Sequence, residues 1–363
     1  MAIYLAAFAL SAALTLLMVQ VLRTRGWFTK DHDLAGPQKV HLQPVGRVGG
    51  LAIFVCLGAF AAWDSWKSPR FGGLLATLLW CGAPVFVVGL VEDLTKRVAP
   101  WQRLTAAAVS ALLAVVYAGT AIRDTDIWGL DWLASFSIGA GALSVFAVAG
   151  IANAINIIDG FNGLASMCVM MILLAVAYVA LQVNDTVVMA LALVGAGAVL
   201  GFFIWNYPGG LIFLGDGGAY FLGFYLSEVA LLLIIRNPSV SPLFPLLAAI
   251  YPVFETVFSM YRRRFVKGRP VGMPDGAHLH SLVHRRLLRW AIGRDDASAL
   301  MRRNSMTAPY LWALCMSAVV PSVLFWDDSV LLGLFILLFV VVYVVLYGQI
   351  VRFKAPRWLM SRR

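Results

Sequence analysis

Asn153-Ala154-Ile155-Asn156-Ile157-Ile158-Asp159-Gly160-Phe161-Asn162-Gly163-Leu164-Ala165 lies between two long apolar runs, and its reading decides the fold. Steps of three place Asn153, Asn156 and Asp159 around one side of a helix. Polar groups at the end of a hydrophobic helix need partners, an aqueous cavity or an ion. A polar cap followed by a Gly-rich turn accounts for one Asn and the Asp. It does not account for all three residues together with Asn162. The stretch therefore reads as the end of a membrane helix that carries a polar site.

Composition agrees. The chain has 363 residues, 61 % hydrophobic and 13 % charged, with a mean hydropathy of +0.85, whereas about a quarter of a soluble domain is charged. The expected class is an all-α, polytopic integral membrane protein. Apolar runs fall at 2–22, 48–63, 73–91, 104–119, 133–152, 164–182, 187–205, 219–235, 242–260, 308–326 and 330–350, which predicts eleven spans in a single domain over 1–363. The first run lacks a basic flank or a cleavage site and reads as a retained span. Cys56, Cys81, Cys168 and Cys315 all lie inside apolar runs without metal-ligand spacing and read as core.

Charge sets the orientation. With the N-terminus outside and the C-terminus cytoplasmic, the inside segments hold 24 of the 28 Lys and Arg residues, as the positive-inside rule requires. All five histidines, His32, His41, His278, His280 and His284, also fall inside, and 261–307 is the largest cytoplasmic loop. The net charge of +10 is thereby a topological signal and not a nucleic-acid surface. The outside loops are too short to form a domain.

The inside segments carry further polar groups. Glu92 and Asp93 adjoin at the C-terminal end of a span, where the helix dipole disfavours carboxylates, so a partner is expected: Lys96, Arg97 or Arg103, a metal, or a proton donor. Asp216, flanked by Gly215, Gly217 and Gly218, is the only charge in its loop, and the glycines suit metal or phosphate chemistry better than a simple helix cap. Asn206-Tyr207-Pro208 breaks the preceding helix. Within the spans, Glu255 is expected to pair with Arg262, Arg263 and Arg264, and Glu228 has no partner legible in the sequence. His278 and His280 follow a Pro-Asp-Gly turn amid arginines, which fits a pyrophosphate better than zinc. Lys39 and His41 lie in a turn-rich first loop that serves either topology or substrate.

In combination, Gly-Leu-Val-Glu92-Asp93, Asn153-x-x-Asn156-x-x-Asp159-Gly, Phe213-Leu-Gly215-Asp216 and His278-x-His280 resemble the polyprenyl-phosphate N-acetylhexosamine-1-phosphate transferase superfamily, over essentially the whole chain. The resemblance is nearer to the initiators of O-antigen and enterobacterial common antigen than to phospho-MurNAc-pentapeptide transferase, whose histidine motif has three in a row. It implies transfer of a sugar 1-phosphate from a UDP-N-acetyl sugar to undecaprenyl phosphate, with Mg2+ (or Mn2+) and release of UMP, at the cytoplasmic side of the bacterial inner membrane. It further implies catalytic roles for Asp93, Glu92, Asp159, His278 and His280, with Asp93 preparing the lipid phosphate. Asp216 and Asp159 would hold the metal. Lys39, His41, Asn153, Asn156, Asn162, Asn206, Arg103 and Arg269 would contact substrate. Four positions depart from the family pattern: Glu92 in place of the first Asp, Asn162 in place of an Asp, Arg103 near a family lysine, and Ser281 in place of a third histidine. The implied partners are the nucleotide sugar, the lipid phosphate and membrane lipid, without nucleic acid, and a homodimer is left open. The rival class, a transporter for an anionic substrate, predicts inverted repeats and midplane polar groups. Neither is visible.

Overall fold

The computed structural model describes residues 2–25, 45–67, 71–266, 268, 276–288 and 297–352. Lys39, His41 and Arg269 lie outside the described residues. Apart from an isolated bridge at Gly46, the regular structure is helical: α1 (Ala2–Arg25), α2 (Gly49–Lys67), α3 (Gly72–Thr95), α4 (Pro100–Tyr117), α5 (Leu130–Ala134), α6 (Ser137–Ile158), α7 (Leu164–Gln182), α8 (Thr186–Asn206), α9 (Gly215–Arg236), α10 (Leu243–Ala248), α11 (Ile250–Tyr261), α12 (Leu279–Leu282), α13 (Ala297–Leu324) and α14 (Ser329–Val351). Among the described residues nine helices are long and apolar enough to cross a bilayer: α1, α2, α3, α6, α7, α8, α9, α13 and α14. This is a multi-pass, all-α membrane protein.

The two other predicted spans take different forms. One is α4, only 18 residues long and polar in its first turn through Gln102 and Arg103. The other, 242–260, is broken into α10 and α11 at Ala249. Pro252 supplies the cause: without an N–H it cannot bond the carbonyl four residues back, at Ala248. The predicted 261–307 loop is also partly helical, with π-type turns at Arg262–Val266 and Val283–Leu288 around α12 and α13 beginning at Ala297.

Helix α9 is the axis of the molecule. It is buried from Gly215 to Leu233 and packs against α2, α3, α6 and α7. A largely apolar helix with four glycines can be enclosed in this way. Its N-terminal glycines meet neighbouring glycines backbone to backbone: a Cβ on Gly89 of α3 would lie 2.5 Å from Gly217 Cα, and one on Gly50 of α2 would lie 2.2 Å from Gly218 Cα. Small residues of this kind let membrane helices approach closely. The N-termini of α2 and α9 and the C-termini of α3 and α6 therefore converge at one end of the bundle. The backbone also ties them, since Gly49 and Gly50 donate to the Phe213 and Leu214 carbonyls at 2.9 Å each.

Candidate active site

Asp93 sits in the last turn of α3 and is 1 % exposed. Its two oxygens accept the backbone N–H groups of Asp216 and Gly217, each at 2.9 Å. The C-terminus of α3 thus caps the N-terminus of α9, the partner that a carboxylate at an unfavourable helix end requires. Close approach is possible because residue 215 is glycine. Gly215 has φ +80°, and a Cβ there would meet Arg47 O at 2.3 Å and Asp93 Oδ2 at 2.6 Å. The glycine run around Asp216, read above as metal or phosphate chemistry, answers to helix packing.

Asp216, in the first turn of α9, is held by cations. Arg47 Nη2 lies 3.0 Å from Oδ1, Arg103 Nη1 pairs with Oδ2, and Asn156 Nδ2 donates to Oδ1 at 3.2 Å. Arg47 also reaches Asp93 through Nε at 3.3 Å, and Arg103 lies over the Tyr220 ring. The Tyr220 hydroxyl donates to Asn153 Oδ1 at 3.0 Å. Asn153 and Asn156 therefore join the α9 site, as their common helix side predicted.

Asp159 ends α6. Its carboxyl makes no hydrogen bond among the described residues and lies close enough to Asp216, Asp93 and Arg47 to feel their charge. Burial pushes it well above the usual carboxylate range; Arg47 opposes the shift, and Asp216 and Asp93 reinforce it. With Asp159 ionised, these three carboxylates would stand against two guanidinium groups among the described residues, one positive charge short. Hard oxygen donors of this kind are the donor chemistry that a divalent cation such as Mg2+ takes. Among the described residues no three His, Cys, Asp or Glu side chains are already gathered as a ligand set.

Glu92 is not part of this corner. One residue along α3 turns it about 100° from Asp93, and its Oε2 accepts the Val98 N–H at 2.7 Å in the α3–α4 turn. Asn162 and Asn206 are also spent on backbone: Asn206 Oδ1 accepts from Gly163 N at 2.6 Å and its Nδ2 donates to Ile212 O at 2.8 Å. Asn162 Nδ2 donates to Pro208 O at 3.1 Å. Both tie the α6–α7 turn to the α8–α9 turn.

A second corner contains the histidines. His278 and His280 are buried, with rings stacked at 5.1 Å. His280 faces Gly160, where a Cβ would lie 3.3 Å from its Nε2, so the α12 turn covers the turn that holds Asp159. Its Nδ1 is buried with no hydrogen-bond partner. Burial, reinforced by the Arg285 charge and opposed by Glu255, pushes His280 down to about 3, and burial beside Arg303 and Arg285 takes His284 to about 4. Both are neutral near pH 7. Glu255 is not paired with the Arg262–Arg264 cluster as expected. It binds His278 Nδ1 at 2.9 Å and Tyr343 OH at 2.7 Å, because α11 turns its face inward while Arg262 reaches Tyr347 OH at 2.7 Å. Glu228 is fully buried in α9, and neither oxygen has a hydrogen-bond partner.

Arg47 is the site residue that sequence reading missed. In the sequence it is one of the 24 inside-segment charges, just ahead of α2. Its one available signal was adjacency to Gly49-Gly50, which marks a helix entrance where backbones crowd.

Residues 75–234 match the model for glycosyl transferase family 4. A probable undecaprenyl-phosphate N-acetylglucosaminyl 1-phosphate transferase of Bacillus subtilis is 27 % identical over 88 % of this chain and 84 % of its own length. An undecaprenyl-phosphate alpha-N-acetylglucosaminyl 1-phosphate transferase of Thermotoga maritima is 28 % identical over 77 % and 81 %. A phospho-N-acetylmuramoyl-pentapeptide-transferase of Streptococcus thermophilus is 27 % identical over 58 % and 65 %. The matched segment 75–234 runs from α3 through α9 and holds Asp93, Arg103, Asn156, Asp159 and Asp216. Residues 75–234 thus match glycosyl transferase family 4, and along its length the chain resembles the N-acetylglucosaminyl 1-phosphate enzymes more than the pentapeptide enzymes.

Proposed function

We propose that the chain transfers N-acetylhexosamine 1-phosphate from a UDP-sugar to undecaprenyl phosphate, releasing UMP and starting a lipid-linked surface polysaccharide such as O-antigen. The carrying observation is the corner at the start of α9, where Asp93, Asp159 and Asp216 meet Arg47 and Arg103. Donor diphosphate and acceptor phosphate are both anionic and repel at attacking distance. A site for their reaction needs guanidinium groups for phosphate oxygens and carboxylates for a cation, side by side. When bound, Mg2+ supplies charge neutralisation at the diphosphate, held by Asp216 and Asp159.

The protein's own groups divide the remaining work. Arg47 and Arg103 are placed to exchange Asp216 for phosphate oxygens. Asp93, capping α9, keeps Asp216 at a fixed depth. His280, neutral and with a free Nδ1, is a hydrogen-bonding group for the donor. The lipid tail would lie between apolar helices, where burial supplies affinity. N-acetylglucosamine is the favoured sugar, because the relatives matched over most of their length carry that name.

The site would face the cytoplasm, with eleven spans, the N-terminus outside and the C-terminus inside. In that arrangement reporters fused after Arg269 and after Asp126 read cytoplasmic and outside respectively, and the reverse pair would overturn it. Activity is tested with purified protein, Mg2+, undecaprenyl phosphate and a panel of UDP-sugars including UDP-MurNAc-pentapeptide, scored for UMP. UMP release with UDP-GlcNAc is expected. Release with the pentapeptide donor alone would transfer the chain to the other branch, and none with any donor from folded protein would overturn the proposal.

A further inference from the structure

We infer that Glu255 is a positioning residue: it fixes the tautomer of His278, and through that ring it aims the guanidinium of Arg263 at the edge of the site. The inference rests on the transfer reaction proposed above for its kinetic consequence, but not for its geometry.

The geometry is a line of four side chains. Tyr343 OH donates to Glu255 Oε2 at 2.7 Å. Glu255 Oε1 lies 2.9 Å from His278 Nδ1, and both oxygens are within reach of the Leu279 N–H, at 3.2 and 3.3 Å. On the other side of the ring, His278 Nε2 lies 3.3 Å from Arg263 Nη2. Glu255 is completely buried, and His278 is 3 % exposed.

Chemistry assigns the protons. A guanidinium is donor-only, so the nitrogen facing it must offer a lone pair. A carboxylate already receiving a tyrosine hydroxyl and a backbone N–H is an acceptor, so the nitrogen facing it must carry hydrogen. Both neighbours independently specify the Nδ1–H tautomer with a bare Nε2. His278 consequently has no ring N–H left for a phosphate. Its two nitrogens are consumed within the protein, and the group it presents is Arg263. Arg263 Nη2 also donates to Ser259 Oγ at 2.9 Å, so one nitrogen of the guanidinium is fixed from two directions.

The line leads to the proposed active site. His278 stacks on His280, and His280 covers Gly160 beside Asp159. A guanidinium fixed at that border suits the diphosphate of the donor, whose two phosphates need cations from more than one side. The first histidine of the His-x-His motif would then act through an arginine, whereas His280 keeps a free nitrogen of its own.

The first test needs no activity. In protein carrying 15N-labelled histidine, with the His278 signals assigned by their loss in His278→Gln, the ring should show a protonated Nδ1 and a bare Nε2. A protonated Nε2 in the wild-type protein would overturn the inference. The second test is kinetic. On folded fractions, Glu255→Gln should lower kcat/KM for the UDP-sugar by about tenfold or more, as loss of an orienting partner of a functional histidine does, with KM for undecaprenyl phosphate unchanged. In an Arg263→Ala background the same substitution should cost nothing further. Additive losses, or an equal effect on both substrates, would reduce Glu255 to a structural clamp on α12. Should Glu255→Gln not fold, the cycle between His278→Gln and Arg263→Ala reads the same coupling, and additivity there overturns the inference as well. A wild-type protein that transfers nothing would refute the proposed reaction and leave the tautomer measurement standing.

Discussion

The acidic and the histidine corner adjoin at one end of the bundle yet handle charge in opposite ways. The acidic corner meets two of its carboxylates with partners: Asp93 and Asp216 face Arg47, Arg103 and the first N–H groups of α9, while burial pushes the Asp159 carboxyl upward. The histidine corner suppresses charge by burial, holding His280 near 3 and His284 near 4. A carboxylate can be buried ionised because guanidinium and helix N-termini are at hand. Histidines packed on Phe161, at 5.5 and 5.2 Å between ring centroids, are kept neutral by burial, which outweighs the pull of Glu255 on a proton at His280. On the proposed reading, the α9 corner carries the charged phosphate chemistry, and the histidine corner contributes neutral hydrogen bonding from His280 beside the guanidinium of Arg263.

The largest effect expected is at Asp216. Asp216→Asn keeps the shape but removes the charge shared by both arginines, and turnover should fall about a hundredfold or more, the scale of a lost electrostatic contact in a transition state. Unchanged turnover measured on folded protein would strip the acidic corner of its role and dissolve the contrast.

Asp93→Asn should be milder in activity and clearer in stability. One of its two acceptors becomes a donor facing the N–H groups of α9, so the melting curve in detergent should report a loss of about 1–2 kcal/mol together with reduced turnover. A drop in turnover with an unchanged melting temperature would make Asp93 a purely chemical group and not a cap.

The histidine corner should announce itself in acid. His280 and His284 have folded pKa values below the unfolded value of about 6.5, so the unfolded chain binds more protons as pH falls. The stability they contribute is complete above about pH 6.5 and declines toward pH 4, with a slope of at most about 1.4 kcal/mol per pH unit for each histidine. Melting temperatures between pH 7 and 5 should drop accordingly, and His284→Phe should flatten the curve. An unaltered slope in that variant would mean that the imidazole titrates normally.

Glu92 marks the boundary of the acidic corner and should show the smallest effect. In Glu92→Gln an amide oxygen can still accept the Val98 N–H, so kcat should stay within about twofold and stability within about 0.5 kcal/mol. A hundredfold loss of kcat would pull Glu92 into the corner beside Asp93 and redraw the site.

Much of this was legible in the sequence. Apolar run lengths gave the membrane class, and all nine long helices fall on predicted spans. Steps of three predicted that Asn153 and Asn156 would share a side, and α6 does bring them to Tyr220 and Asp216. The unfavourable helix end at Asp93 demanded a partner, and α9 provides it. These inferences succeed because periodicity and helix polarity are local, fixed by the 3.6-residue turn whatever the rest of the chain does.

What the fold alone decided is which distant groups meet. Arg47 and Arg103, 56 positions apart in the chain, close on one carboxylate 113 positions beyond Arg103; the local pattern held no sign of it. Glu92 and Asp93 look like a pair in sequence and point to different partners, because one residue of helix separates their directions by about 100°. Glu255 was expected to join the arginines that follow it and instead binds His278, because α11 turns its buried face toward α12 and α14. The sequence by itself determines where polar groups stand on each helix. Only the packing of glycine-lined helices around α9 determines which of them touch, since ionic and hydrogen-bonded contacts act over a few ångströms while their owners lie a hundred residues apart.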